Sequence, residues 1–190
     1  MRGLYGPRFA GSRVASIRAI TSSKVRKVVA IPAAIAGLVR IHAADLGRQL
    51  LAGARRSRSC QLLMTIPGVG AITASAFTTA IKDPANFKTS RSVGAWLGLT
   101  TRRYQSGEVD YDGHISRRGD AHLRGLLYEA AMVIMTRTQA DSSLRSWGLK
   151  LWERIGFKRA AVAVARKLAV IMHAMLKSDT AFDRVAGAIA

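Results

Sequence analysis

The stretch Leu62-Leu63-Met64-Thr65-Ile66-Pro67-Gly68-Val69-Gly70-Ala71-Ile72-Thr73-Ala74 sets the character of this chain. An apolar run ends at Ile66-Pro67, two glycines follow one residue apart, and a run of small and apolar residues then begins. Proline and glycine in this arrangement punctuate helices, so the segment reads as helix, tight turn, helix. Gly68 and Gly70 carry no Cβ, admit positive φ and leave consecutive backbone N–H groups uncovered. Beside the positive end of the second helix, such donors suit one phosphate oxygen. An ordinary helix–helix turn also often contains glycine, and the two glycines alone do not separate these readings.

Charge tips the balance. The 190 residues hold 30 Lys+Arg against 11 Asp+Glu, a formal net charge of +19. A surplus of that size calls for a polyanionic partner, and nucleic acid is the leading one, because neutralised phosphates release counterions. With Ile-Pro before the glycines and small Ala71, Ala74 and Ser75 after them, the turn resembles a helix-hairpin-helix. Such a hairpin holds the DNA backbone without reading bases. Pro67, Gly68, Val69 and Gly70 are therefore candidate DNA contacts. Hydrophobic residues make up 49% of the chain, enough for a buried core. One cysteine, Cys60, excludes an internal disulfide or a Cys-rich zinc module and reads as a buried thiol.

Working outward, residues 1–32 form a basic arm rich in Gly, Arg and Ser, with no sustained periodicity. A transit peptide has a similar composition, but a poorly ordered leader is the more economical account. Pro32 opens a long, coiled-coil-like helix over 33–58, whose apolar stripe includes Ile35, Leu38, Val39, Ile41, Leu46, Leu50 and Leu51. That stripe suits pairing with another helix. The main domain spans 59–178, and 179–190 form a tail. Within the domain, helices are expected over 59–65, 71–82, 91–97, 120–137, 142–154 and 158–177, with Ser90 as an N-cap and Gly98 as a stop. Residues 100–119 differ in kind: polar and Gly-punctuated, with Tyr104, Val109, Tyr111 and Ile115 spaced for a small β-hairpin. The expected fold is mainly α, a helix-hairpin-helix domain with a short hairpin-like loop and a long helix before it. No segment reaches the ~20 continuous apolar residues that span a bilayer, so a cytoplasmic, nucleoid-associated protein is expected, without a membrane partner.

The hairpin segment carries the chemistry. Arg102, Arg103, Arg117, Arg118 and Arg124 fall around the step Ser106-Gly107. Arginine forks match phosphate oxygens and stabilise charge that develops in phosphoryl transfer. A serine hydroxyl becomes a nucleophile once a base, cation or metal eases its deprotonation, and Gly107 leaves Ser106 open to a bulky phosphate. Polar, Gly-rich loops also hold many serines that merely face solvent.

A wider set of motifs resembles one known group: Ile66-Pro-Gly-Val-Gly70, Phe87, Arg91, Ala95-Trp-Leu-Gly-Leu99, Gln105-Ser-Gly107, Gly113-His-Ile-Ser116 and Arg118-Gly-Asp120. These are the insertion-sequence transposases with a RuvC-like DEDD nuclease half followed by a serine-bearing half. The resemblance runs from about Ser59 to Leu176. It implies recombinases guided by a structured bridge RNA, in which the serine attacks a scissile DNA phosphate and forms a covalent link. By motif that serine is Ser106. Arg102, Arg103, Gly107, Arg117, Arg118 and Arg124 become candidate DNA contacts, with Ser116 as a brace. His114 is either a proton shuttle or a support for the turn, the latter preferred. The resemblance also implies DNA and a guide RNA as partners, and a homo-oligomer in the full-length enzyme. The four carboxylates of the nuclease half would hold magnesium, yet no acid precedes Asp45 here. The chain therefore reads as a truncated transposase, inactive alone, without a metal site or cofactor of its own. Asp110 and Asp112 are expected to offset arginines. The alternative is a non-catalytic helix-hairpin-helix module that binds nucleic acid.

Elsewhere, Trp96, Trp147, Trp152 and Phe157 are aromatic candidates for stacking on bases, with Trp96 and Trp152 read first as core residues, and Met132, Met135, Met172 and Met175 read as packing. Lys158, Arg159, Arg166 and Lys167 serve either a nucleic-acid surface or a solvated helix face, and charge alone does not separate the two.

Overall fold

The computed structural model describes residues 35–184. The basic arm expected over 1–32 lies outside the described residues, as does the tail beyond Arg184. The chain divides into two units, Met1–Gln49 and Leu50–Ala190. Residues 35–56 are helical (α1). In the first unit, Ile35, Leu38, Val39, Ile41 and Leu46 are all exposed.

The second unit is mainly helical with one small sheet. Its elements are α2 (Arg58–Leu63), α3 (Ala71–Ile81), a 3-10 turn (Pro84–Asn86), α4 (Arg91–Trp96), β1 (Thr101–Ser106), β2 (Val109–Ile115), α5 (Ala121–Thr136), α6 (Ser143–Ile155) and α7 (Phe157–Ser178). Helix α7 is the axis of the core, and α2, α4, α5 and α6 all pack on it. Its sequence explains why. Ala160, Ala161, Val164, Ala165, Leu168, Ala169, Met172 and Met175 are buried, and the alanines let neighbours approach on several sides at once. Against them stand Leu123, Leu127, Ile134 and Met135 of α5, Val93 of α4 and Leu63 of α2.

Caps set most of the boundaries. The Asp120 carboxylate accepts from the backbone N–H groups of His122 at 2.8 Å and Leu123 at 3.2 Å and starts α5. The Ser142 hydroxyl accepts from the Arg145 N–H at 3.2 Å and starts α6. Gly156, at φ +82, ends α6 and leads directly into α7. Ser90 departs from the expectation. It makes no side-chain cap bond to α4; its hydroxyl lies 2.9 Å from Nδ1 of His173 instead. His173 is fully buried, its Nε2 is 3.1 Å from the Pro84 carbonyl oxygen, and Phe87 packs edge-on against the ring. The geometry assigns Nε2–H as donor to Pro84 and Nδ1 as acceptor from Ser90. Burial pushes the imidazole below its ordinary value of 6.5, against the opposing pull of the Pro84 carbonyl.

Helix α4 ends as a Schellman motif, with Gly98 N–H donating to the Ala95 carbonyl and Leu99 N–H to that of Gly94, both at 2.9 Å. Gly98 takes φ +70, which glycine alone adopts without strain. The chain returning from the hairpin crosses this point backbone to backbone. A Cβ on Gly98 would lie 2.6 Å from the Arg118 nitrogen, and one on Gly119 only 2.2 Å from the Trp96 oxygen. Two glycines, twenty-one positions apart in the sequence, thus close the base of the hairpin onto the helical core.

Candidate nucleic-acid interface

The turn over Pro67-Gly68-Val69-Gly70 joins α2 to α3, and its residues divide by environment. Val69 is buried, and its N–H donates to the Ile66 carbonyl at 3.1 Å. Gly68 has φ +90 and faces α5, where a Cβ would lie 3.0 Å from Ile134 Cγ1 and 3.2 Å from the Ala130 oxygen. Its missing side chain therefore serves packing. Gly70 is the exposed N-cap of α3, with open space where a Cβ would be and no side-chain cap. The first intrahelical bond of α3 runs from Ala74 N–H to the Gly70 carbonyl, which leaves the preceding N–H groups without a helical acceptor. Cys60 is buried, with Sγ 3.5 Å from the Thr78 hydroxyl.

The expected hairpin is present. Strands β1 and β2 pair antiparallel, with Tyr104 opposite Tyr111, Gln105 opposite Asp110 and Ser106 opposite Val109. Gly107, at φ +55, and Glu108 make the two-residue turn. This places Ser106 at the tip. It is exposed, and among the described residues its hydroxyl makes no hydrogen bond. The Tyr104 and Tyr111 rings stack at 5.1 Å between centroids, and both are about half exposed (46% and 56%), which gives the hairpin an aromatic face.

The arginines of this region have different occupations. Arg103 binds both oxygens of Asp110, with Nε 2.8 Å from the nearer one, and this guanidinium holds the Asp110 carboxyl below the usual carboxylate range. Arg102 donates to the Ser116 carbonyl at 3.1 Å, and the Ser116 N–H donates to Thr100 at 2.8 Å. Arg124, half-buried, uses Nη1 to bridge the carbonyls of Leu97 and Gly119, at 3.1 Å each, and so clamps the glycine crossing. Arg117 has φ +55, unusual for a side-chain-bearing residue, and its N–H donates to the Gly98 carbonyl at 3.1 Å. The Arg117 and Arg118 side chains are exposed, as is His114 on β2.

Two neighbouring grooves flank the base of the hairpin. One, of about 790 Å³, is lined by Arg102, Tyr104, Tyr111, His114 and Ser116 among others. The other, of about 830 Å³, runs between the hairpin base and helices α6 and α7, with Arg91, Arg117, Lys158, Arg159, Arg166 and Lys167 around it. Arg117, His114 and Arg159 border both. The sequence left the α7 cations undecided, and it did not bring Arg91 or Trp147 to them. The signal was present in part, since Arg159 and Arg166 are seven apart and share a helix face. Trp147 sits under the Lys167 ammonium, 4.9 Å from ring centroid to Nζ. Trp96 and Trp152, expected in the core, are 43% and 41% exposed. Each sits edge-on against a phenylalanine, Phe87 and Phe157 respectively, and covers the rim of the core. No described helix is long and apolar enough to cross a membrane.

Residues 60–146 match the model of the transposase IS116/IS110/IS902 family. The turn, the hairpin with Ser106 and the glycine crossing all lie within the segment that matches this model, whereas the α7 cations lie beyond it. Among individual proteins, the chain is similar to a probable family 20 transposase of Pseudomonas aeruginosa, 36% identical over 140 residues, which are 73% of this chain and 41% of that protein. It is also 37% identical over 133 residues to the transposase for insertion sequence element IS1111A of Coxiella burnetii, covering 70% of this chain and 36% of the relative. A pilin gene-inverting protein of Moraxella bovis is 30% identical over 127 residues, 65% of this chain and 38% of its own length. The chain thus spans about two fifths of the length of the curated relatives it matches.

Proposed function

We propose that this chain is the serine-bearing, DNA-handling part of an insertion-sequence transposase and that Ser106 is its nucleophile. The observation that carries the reading is the placement of Ser106. A rigid hairpin, clamped at its base, presents this one hydroxyl at an exposed tip beside a glycine, inside the transposase-family segment. In the proposed step, Ser106 Oγ bonds to the phosphorus of a DNA backbone phosphate. One P–O ester bond breaks, and the displaced deoxyribose oxygen leaves as a hydroxyl after taking a proton. The serine proton passes to a general base as the P–O bond forms. Arg117 and Arg118 face solvent and are available to phosphate oxygens. Arg102, Arg103 and Arg124 hold the hairpin and its base in shape. The open N–H groups at Gly70 and the start of α3 provide a further phosphate contact of the helix-hairpin-helix kind.

Magnesium does not fit the carboxylates of these residues. Among the described residues no group of three His, Cys, Asp or Glu side chains converges. Asp110 is held by Arg103, and Asp120 caps α5. No step is therefore assigned to a metal here, and the metal-holding carboxylates of the reaction are proposed to come from outside this segment. DNA, a guide RNA and a second copy of the chain are the proposed partners.

The test combines this chain, or its Ser106→Ala variant, with the nuclease portion of a family member and a DNA substrate, then looks for a denaturation-resistant protein–DNA adduct. The adduct is expected with Ser106 and absent with Ala, while DNA affinity stays within a factor of two. An adduct that persists in the variant would overturn the assignment of the nucleophile. DNA binding with no adduct from either protein favours the non-catalytic module.

A further inference from the structure

The larger groove has a construction that duplex binding does not require. Six cations surround it, Arg91, Arg117, Lys158, Arg159, Arg166 and Lys167, and no acidic residue lines it. Inside that ring lies an apolar floor that includes Ile115, Ile155, Val162 and the side of Trp147. Ile155 is 37% exposed. Paired bases keep their faces inside the helix, so a surface for duplex backbone needs the cations alone. An apolar floor within a cationic ring suits a strand whose bases are unstacked, with phosphates on the rim and a base laid on the floor. The volume of about 830 Å³ lies in the range of roughly 300–1,000 Å³ typical of sites for small organic ligands, enough for a base and its sugar. The stem of Arg166 lies on Gly94 of α4, and the Lys167 ammonium is seated over Trp147, where burial pushes its pKa down.

We propose that the groove between the hairpin base and helices α6 and α7 binds an unpaired nucleic-acid strand, and that the apolar floor selects unpaired over paired bases. The proposal rests on the DNA-handling reading and refines it. Recombination must expose unpaired DNA, and a guide would present unpaired RNA; both offer the same phosphate-and-base chemistry to this site. Because Arg117, His114 and Arg159 border both grooves, a strand seated here can continue toward the stacked Tyr104 and Tyr111.

The experiment uses the full chain and three fluorescent probes: a 12-mer of oligodeoxythymidylate, the same length of oligouridylate, and a 12-base-pair duplex of mixed sequence. Fluorescence anisotropy follows binding across a series of salt concentrations. The expected result is at least tenfold tighter binding of a single strand than of the duplex, and the better of the two single strands names its source. Ile155→Ser, at an exposed position near the end of α6, is expected to weaken single-strand binding about tenfold and to leave duplex binding within twofold. Arg159→Gln and Lys158→Gln are each expected to reduce the single-strand salt slope by about 0.7, the value for one phosphate contact. Circular dichroism confirms that each variant retains its fold. Equal affinity for duplex and single strands, or an Ile155→Ser variant that binds all probes like the parent, would refute the groove assignment and leave the DNA-handling reading in place. A chain that binds none of the probes would remove both.

Discussion

Replacing Gly119 with alanine tests whether the hairpin base and the end of α4 cross as closely as the structure has them. The added methyl would lie 2.2 Å from the Trp96 oxygen, 2.5 Å from the Leu97 carbonyl carbon and 2.6 Å from its Cα. All three are backbone atoms, fixed by the Schellman bonds that end α4, so no side-chain rotation relieves the overlap. Carbon and oxygen in contact stand about 3.3 Å apart, so the two segments must part by roughly 1 Å. Overpacking of this kind costs about 1–3 kcal/mol. Separation also strains the Arg117-to-Gly98 backbone bond and the Arg124 clamp, at about 1 kcal/mol each. A total of roughly 3–5 kcal/mol corresponds to a melting temperature lower by about 6–20 °C in a domain of this size. Gly107→Ala provides the control. Gly107 also has positive φ, at +55, but nothing lies within 4 Å of its would-be Cβ. It is expected to cost only the left-handed penalty of about 1–2 kcal/mol. Thermal melting by circular dichroism ranks the two variants, and hydrogen exchange on the hairpin amides shows where protection is lost. If Gly119→Ala melts no lower than Gly107→Ala, the close crossing does not exist in solution.

Two further expectations separate support from function. Arg124→Met removes a charged donor shared between two carbonyls and is expected to cost about 1–3 kcal/mol in urea unfolding, with DNA affinity at permissive temperature nearly unchanged; full stability with lost DNA binding would make Arg124 a phosphate contact instead. For His173, the folded value lies below the ordinary 6.5, so its contribution is complete above that pH. As pH falls below 6.5 the unfolded chain takes up a proton that the folded chain refuses, and stability declines until the folded value is reached. Unfolding free energies measured between pH 7.5 and 5 should show this loss in the parent and a shallower slope in His173→Gln; equal slopes would show that His173 is not the group responsible.

The parts of the fold that follow from local rules were legible in the sequence. Asp120, Gly98 and Ser142 announce helix ends through bonds made within a few residues, and the alternation from Tyr104 to Ile115 announces a hairpin by its period. What could not be read is what depends on distant partners. Ser90 has the chemistry of an N-cap, but its hydroxyl goes to His173, eighty-three positions away, and only the packing of α4 on α7 makes that choice. Gly68 has the pattern of a phosphate turn, and its second use, making room for Ile134 of α5 where a side chain would lie, could not be read from that pattern. Trp96 and Trp152 are apolar enough for a core, yet each packs on a phenylalanine and keeps about two fifths of its surface exposed. The groove belongs to the same class: Arg91 and Lys158 are sixty-seven positions apart in sequence, and they meet only because α4 packs on α7.

The distribution of arginine partners shows where the excess charge can act. A guanidinium already paired with a carboxylate or a carbonyl has less to offer a phosphate, because binding must first break that bond or share it. Arg103 is bidentate to Asp110, Arg124 bridges two carbonyls, and Arg102 holds Ser116. Together they stiffen the hairpin and its junction, and this stiffness has a chemical use. An attacking hydroxyl must be held within a fraction of an ångström of its line of approach, and a tip on a two-stranded ribbon is precise only if its base does not move. In the proposed reaction Arg102, Arg103 and Arg124 act on Ser106 through geometry. Binding charge is then left to Arg117 and Arg118 and to Arg91, Lys158, Arg159 and Arg166 around the larger groove. Under the proposed function, the residues that bind a strand and the serine that attacks it stand on different elements, joined through the crossing of Gly98 and Gly119. A change at that crossing should reduce strand transfer more than strand binding.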